Sequence, residues 1–187
     1  MNEQLQPYDP RAIANLMLDD ADRNKVAVSN LALQKLLYFL HSLFLIETKR
    51  PLISGYFEAW QYGPVHPAVY QAFKLAEDQP IHFRATSQDA MTGARTAIPT
   101  PESPQIINYV KRIMLSYGRL TPGRLVEISH ARNAPWHFVV NTSRTSLVFG
   151  LRIPDDVIVS RFKHHKVSVG EAPSSGEPRE DTPFARD

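Results

Sequence analysis

The spacing of apolar residues predicts a mainly helical protein with one strongly apolar helix at its centre. Ser29 or Asn30 is suited to cap that helix, and leucine and phenylalanine then recur at helical spacing on one broad face. The residues of this face are Leu33, Leu36, Leu37, Leu40, Leu43 and Phe44, extended by Phe39 and Ile46. We expect this helix to be the central pillar of the core.

The other side of the same helix is more polar. The sector opposite the apolar face contains Asn30, Gln34, Tyr38 and His41. Lys35 also lies on the more polar side, so its replacement is expected to cost little stability. Leu40→Ala, by contrast, is expected to cost about 2–5 kcal/mol, the range for truncating a buried leucine.

Six further segments show helical spacing of apolar residues or a proline placed for a first helical turn. They are residues 8–20, 67–77, 105–118, 122–128, 135–140 and 154–166. Thr121 is placed to cap the fourth of these helices. The first is expected to stop at Asp20, because Asp19, Asp20 and Asp22 are unfavourable at the negative end of a helix dipole.

A short β element is predicted between the second and third helices. Residues 56–62 alternate and are rich in aromatics, which places Tyr56, Glu58, Trp60 and Tyr62 on one face of a strand. Gly63 and Pro64 are expected to turn the chain after it. A second brief strand is expected at Ile81, Phe83 and Ala85.

These patterns predict the fold class and the domain limits. The class is mainly α (α+β): a compact helical domain around a central hydrophobic helix with a small β element, over residues 1–167. Residues 168–187 are rich in Ser, Gly, Pro and Glu and contain one aromatic residue, Phe184. Because such a segment buries too little apolar surface to offset its ordering entropy, we predict a disordered acidic tail.

The amino-acid composition indicates a globular protein and the compartment in which it is found. The chain is 43% hydrophobic and 21% charged, as in ordinary globular domains, and it contains no cysteine, which fits a reducing compartment. Residues 1–10 do not resemble a signal peptide. The longest apolar stretch, 36–46, is too short to span a bilayer. We expect a cytoplasmic protein with no membrane contact.

The charge is unevenly distributed. The net charge is +2, but the tail carries −3 and the rest of the chain +5, and residues 119–167 contain eight Lys/Arg against three acids. Such a bias suits nucleic acid or an acidic protein partner. The helix after Pro122 has Arg124 but continues Leu-Val-Glu-Ile, a poor sequence for reading bases. A DNA- or RNA-binding regulator using the basic carboxyl half is therefore the first alternative function.

Catalytic and metal-binding motifs are missing from the sequence. His164 and His165 are adjacent and diverge on a helix, while His130 and His137 are separated by Pro135 with no carboxylate to complete a zinc site. No H-E-x-x-H, G-x-S-x-G or phosphate-binding glycine loop occurs. We therefore expect a protein that binds no metal or cofactor and is not an enzyme. The second alternative function is a small hydrolase whose active site has no recognisable motif.

Three blocks of sequence resemble a known family. The first is Leu-Gln-Lys-Leu-Leu-Tyr-Phe at 33–39, and the second is Ala-Trp-Gln-Tyr-Gly-Pro-Val-His-Pro-Ala-Val-Tyr at 59–70. The third has Tyr-Gly at 117–118, Ser-His at 129–130 and Pro-Trp at 135–136. In this order and spacing they resemble the Panacea domain, the SocA-type antitoxin family, over about residues 10–165. Ser129 departs from the threonine that usually stands there.

The resemblance implies a function and partners. It implies a bacterial or phage antitoxin that neutralises a co-encoded toxin by direct protein binding, with no catalytic residues to carry over. In the SocA-like mode the antitoxin is also an adaptor that presents its toxin to the ClpXP protease. The cognate toxin and ClpXP are thus the expected partners, and nucleic acid is not.

The candidate partner contacts are mostly aromatic. Tryptophan and tyrosine are frequent interface anchors, but the same residues also fix strand–turn–helix corners and fill cores. The candidates are Trp60, Tyr62, His66, Tyr70, His130 and Trp136.

Overall fold

The structure is a computed structural model that describes residues 7–143 and 150–165. Seven α-helices and five short strands lie in this part of the chain. The helices are α1 (Pro10–Arg23), α2 (Asn30–Thr48), α3 (Pro67–Phe73), α4 (Pro104–Tyr117), α5 (Pro122–Ser129), α6 (Pro135–Thr142) and α7 (Asp155–Arg161). The strands are β1 (Phe57–Trp60), β2 (Gly63–Val65), β3 (Thr86–Gln88), β4 (Arg95–Ala97) and β5 (Arg152–Ile153). Short 3₁₀ turns follow α3 at Lys74–Ala76 and α7 at Phe162–His164. The predicted α+β class is confirmed.

Helix α2 is the centre of the core, as its sequence predicts. The Ser29 hydroxyl caps it by accepting the Ala32 N–H, and Thr121 caps α5 in the same way. Leu33, Leu36 and Leu40 have no exposed surface. The helix packs against α1, α3, α4, α5, α7 and β2, so five of the other six helices rest on it.

The sequence-based prediction that the apolar stretch at 36–46 is too short to span a bilayer is wrong for α2 as a whole. Its 19 residues are long and apolar enough to cross a bilayer, the one such helix in residues 7–143 and 150–165. However, 78% of its most apolar 18-residue window is buried inside the protein. Burial by neighbouring elements, rather than insufficient length, is what marks α2 as a core helix.

The polar side of α2 is buried too, which corrects the expectation for Lys35. Gln34, Lys35 and Tyr38 are all fully buried, because this side of α2 faces the sheet. The Lys35 ammonium donates to the Pro64 carbonyl at 3.1 Å, and Gln34 Oε1 accepts the His66 N–H at 3.0 Å. These side chains therefore satisfy main-chain groups of β2 and of the residue that follows it, on the edge that no neighbouring strand covers.

The sheet that α2 supports has the order β2-β1-β5 and is antiparallel. Trp60 pairs with Gly63, so the chain turns at Gln61 and Tyr62 rather than at Gly63 and Pro64. Gly63-Pro64 is instead the start of an edge strand, a position where a proline costs no ladder hydrogen bond. The two-residue strand β5 was not predicted.

Two other predictions are corrected. Helix α1 continues past Asp20 to Arg23, because Arg84 forms ion pairs with Asp19 and Asp22 at 2.7 and 2.5 Å and so offsets their charge at the helix end. Residues 81–85 form no strand; the hairpin follows them, with β3 paired to β4. The predicted tail, 168–187, lies outside the described residues, so the boundary at 167 stays a prediction.

Candidate partner-binding surface

Four of the six candidate contact residues meet where the β1–β2 hairpin packs against α3 and α6. The Trp60 ring lies edge-on to Tyr70, with centroids 4.8 Å apart, and the Trp136 indole N–H donates to the Trp60 carbonyl at 2.7 Å. His130 stacks on Trp136 at 3.7 Å between centroids and 10° between planes. We call these four residues, Trp60, Tyr70, His130 and Trp136, the aromatic corner.

Exposure differs within the aromatic corner. Trp60 is only 8% exposed, and its indole N–H is bonded to Glu58 Oε2 at 2.7 Å. Tyr70, His130 and Trp136 are partly exposed. Trp60 therefore organises the corner from beneath, and the other three rings form the part that a partner can touch.

The underside of the corner leaves no room for a side chain at Gly63. A Cβ there would lie 2.5 Å from Ser129 Oγ and 3.1 Å from Lys35 Cε, and the glycine has a φ of +107°. Only glycine combines that backbone conformation with so close an approach. Lys35, Gly63 and Ser129, from three separate blocks of the sequence, thus meet at one packed point.

His130 is held neutral in this setting. Burial lowers its pKa to about 3, and the nearby charges of Lys35 and His137 add to the effect. Its Nε2 is buried and has no hydrogen-bond partner in the described part of the chain. A neutral ring stacked flat on Trp136 contributes apolar surface rather than charge to the corner.

The remaining two candidates lie apart from this cluster. His66 is 3% exposed at the far end of β2, where its Nε2–H donates to the Ser54 carbonyl at 3.0 Å and its ring is edge-on to Phe57. Burial lowers the pKa of His66. Tyr62 lies in the hairpin turn beside the corner and is partly exposed. The geometry gives His66 a packing role, and a partner contact at any of the six remains a prediction.

Two arginine–aromatic stacks were not foreseen from the sequence. The Arg152 guanidinium carbon lies 3.8 Å from the centre of the Tyr56 ring, and that of Arg161 lies 3.5 Å from the centre of the Phe138 ring. The two stacks occupy neighbouring elements, since β5 pairs with β1 and α6 packs against both β5 and α7. The basic charge of the carboxyl half indicates surface arginines in this region. The sequence does not show which aromatic ring each arginine contacts.

Two further observations concern the histidine, carboxylate and serine side chains of the described residues. Within residues 7–143 and 150–165, no group of three or more histidine, aspartate or glutamate side chains is placed to hold a metal ion. The Ser129 hydroxyl donates to the Val126 carbonyl at 2.8 Å within its own helix, where it is fully buried. The arrangement is that of a packed corner with an aromatic and basic exterior.

Comparisons with known proteins match most of this architecture. A family model described as "Antitoxin SocA-like, Panacea domain" matches residues 33–137, from α2 to α6. A curated protein named "Antitoxin SocA", from Caulobacter vibrioides (strain NA1000 / CB15N), is 43% identical over 183 residues, which cover 98% of this chain and 97% of that protein. No solved structure matches the chain.

Proposed function

Because the chain belongs to the SocA-like, Panacea-domain family of antitoxins, we propose that it neutralises a co-encoded toxin by binding it directly. The observation that carries this proposal is the 43% identity to a protein named an antitoxin, over nearly the whole of both chains. Membership of an antitoxin family favours a regulatory role over an enzymatic one.

The surface around the hairpin supports direct binding. Tyr70, His130 and Trp136 present partly exposed rings held by buried neighbours, so little side-chain entropy is lost when a partner covers them. The stacks of Arg152 on Tyr56 and of Arg161 on Phe138 add cationic groups on neighbouring elements. Aromatic and arginine side chains are the residue types that dominate binding energy in protein interfaces.

A proteolytic role extends the proposal. In the adaptor mode, the antitoxin delivers the bound toxin to ClpXP in the cytoplasm. This mode predicts that the toxin's half-life in cells shortens when the antitoxin is present and lengthens again when ClpX is removed. A toxin half-life that does not depend on ClpX would leave direct binding as the whole mechanism.

The genetic experiment tests the function itself. The neighbouring open reading frame is placed under an inducible promoter, with and without this chain on a second plasmid. Growth arrest on induction that this chain relieves, and that an empty plasmid does not, supports the antitoxin function. A neighbouring gene that is harmless alone, or whose toxicity this chain leaves unchanged, contradicts it.

A further inference from the structure

The guanidinium carbons of Arg152 and Arg161 lie over the Tyr56 and Phe138 rings, and neither arginine is fully buried. A guanidinium lying flat on an aromatic ring uses its face for the contact, and its N–H groups remain in the plane, pointing away from the ring. Arg152 is exposed and Arg161 is partly exposed. Contact with a ring face restrains each arginine side chain and leaves its N–H groups available to a partner.

The carboxylate opposite Arg152 and the one that begins the helix of Arg161 each have another contact. Glu58, the cross-strand partner of Arg152, accepts the indole N–H of Trp60 at 2.7 Å. Asp155, in the first turn of α7, is 3.3 Å from His41 Nε2. In residues 7–143 and 150–165, neither Arg152 nor Arg161 forms an ion pair.

Two other arginines, by contrast, are paired with carboxylates of the fold. Arg84 spans Asp19 and Asp22, and Arg112 makes a two-pronged contact with Glu47 at 2.8 and 2.9 Å. Those arginines are satisfied within the fold. Arg152 and Arg161 instead rest on aromatic rings, and within residues 7–143 and 150–165 their N–H groups have no hydrogen-bond acceptor.

We propose that Tyr56–Arg152 and Phe138–Arg161 form a docking surface for carboxylate side chains of an acidic segment on the partner protein. The inference rests on the proposed function for the partner's identity but not for its chemistry. A guanidinium fork matches a carboxylate by two parallel hydrogen bonds, and stacking lowers the entropy lost when they form. The exposed Tyr56 ring, at 38%, supplies apolar surface beside the charge.

The test uses the full-length chain and a defined probe, a fluorescein-labelled peptide of about ten glutamates, with affinity followed by fluorescence anisotropy. The R152A/R161A variant is compared with R50A/R95A, which removes two exposed arginines elsewhere on the surface. We expect R152A/R161A to weaken binding by about tenfold or more, the equivalent of one charge-assisted hydrogen bond. The control variant should stay within about twofold of the unaltered chain.

A charge-preserving variant separates geometry from net charge. R152K/R161K keeps the charge but lacks the planar fork, so it should lose most of the affinity that R152A/R161A loses. Circular dichroism checks that each variant is folded. Equal binding by R152K/R161K and the unaltered chain, or equal losses in R152A/R161A and R50A/R95A, would overturn the proposal.

Two further arms identify other occupants. A single-stranded oligonucleotide of matched charge that binds more tightly than the peptide, and loses affinity in the same variant, would make phosphate the ligand and overturn the assignment. A gain of more than about tenfold in peptide affinity on replacing the tail acids Glu171, Glu177 and Glu180 by glutamine would make the chain's own tail the occupant. Because no toxin is used, these results are independent of whether the proposed function holds.

Discussion

Acid should destabilise this protein well above the range in which carboxylates protonate. Burial lowers the pKa of His130 to about 3 and that of His165 to about 4. In the unfolded chain both imidazoles return to an ordinary pKa of about 6.5. At pH values between the folded and unfolded pKa values, both imidazoles are protonated in the unfolded chain and neutral in the folded protein. The free energy of unfolding therefore rises with pH, and this stabilisation is lost as the pH falls below about 6.5.

The size of the effect follows from the same values. For a histidine with an unfolded pKa of about 6.5 and a folded pKa of about 4 or less, lowering the pH from 8 to 5 costs about 2 kcal/mol. His130 and His165 together therefore cost up to about 4 kcal/mol, a large part of the roughly 5–15 kcal/mol that stabilises a typical domain. For a chain of this size the melting temperature should fall by roughly 8–16 °C. His66, whose pKa is also lowered by burial, acts in the same direction.

The assay is urea denaturation followed by circular dichroism at pH 5, 6, 7 and 8. His130→Gln removes one titrating ring and should reduce the loss between pH 8 and pH 5 by about 2 kcal/mol, whatever its effect at pH 8. His82→Gln, at an exposed position, is the matched control for exchanging histidine for glutamine. Equal stability of the unaltered chain at pH 5 and pH 8 would show that burial does not lower the pKa values of these histidines. An unchanged dependence of stability on pH in His130→Gln would show the same for His130.

Three other predictions concern packing. Lys35→Ala should destabilise by about 2 kcal/mol or more, because it empties a buried site and leaves the Pro64 carbonyl without its lysine donor. Lys111→Ala, at an exposed position of α4, should cost less than about 0.5 kcal/mol in the same melt, and equal effects of the two changes would contradict burial of the Lys35 ammonium. Leu40→Ala should cost about 2–5 kcal/mol by urea denaturation, and a value near zero would mean that α2 is not buried in solution. A chain ending at Val167 should keep its melting temperature within about 2 °C, since residues 168–187 are predicted to be a disordered tail; a larger fall would show that the tail packs on the domain.

The sequence predicts the helical framework well, for an identifiable reason. The apolar face of α2 is wide and regular, and Ser29 and Thr121 stand where a helix needs a side-chain acceptor. The row of alternating residues before Gly63 likewise indicates a strand, and Glu58 and Trp60 do lie on one face, joined by a hydrogen bond. These are local signals, and local signals are what a single sequence carries.

The errors come from contacts between distant segments. Periodicity shows that Gln34 and Lys35 are polar, but not that an edge strand will cover them and need their hydrogen bonds. The exposed β3–β4 hairpin has no alternation of apolar and polar residues to announce it, and two-residue β5 is too short to show any. Burial of the polar side of α2 is decided by tertiary structure alone.

The candidate surface was predictable only in part. Aromatic residues near the hairpin stand out in the sequence, and four of the six candidates do come together. Which ring is covered is not readable from residue type, and Trp60 is buried while Trp136 remains partly exposed. The pairing of Arg152 with Tyr56 depends on the register of β1 with β5, which no local pattern encodes.

Neutralisation by direct binding predicts a complex between this chain and the product of the neighbouring gene, and isolating that complex is the most direct test. The full-length chain, tagged and co-expressed with the product of the neighbouring gene, is purified at low and at high salt, and a gel shift with random duplex DNA is run alongside. We expect recovery of a stoichiometric complex with that protein at both salt concentrations, because the contacts made by the aromatic corner are little affected by screening. Duplex binding at about micromolar affinity or tighter at physiological salt, with no protein partner recovered, would contradict it and favour a nucleic-acid-binding regulator.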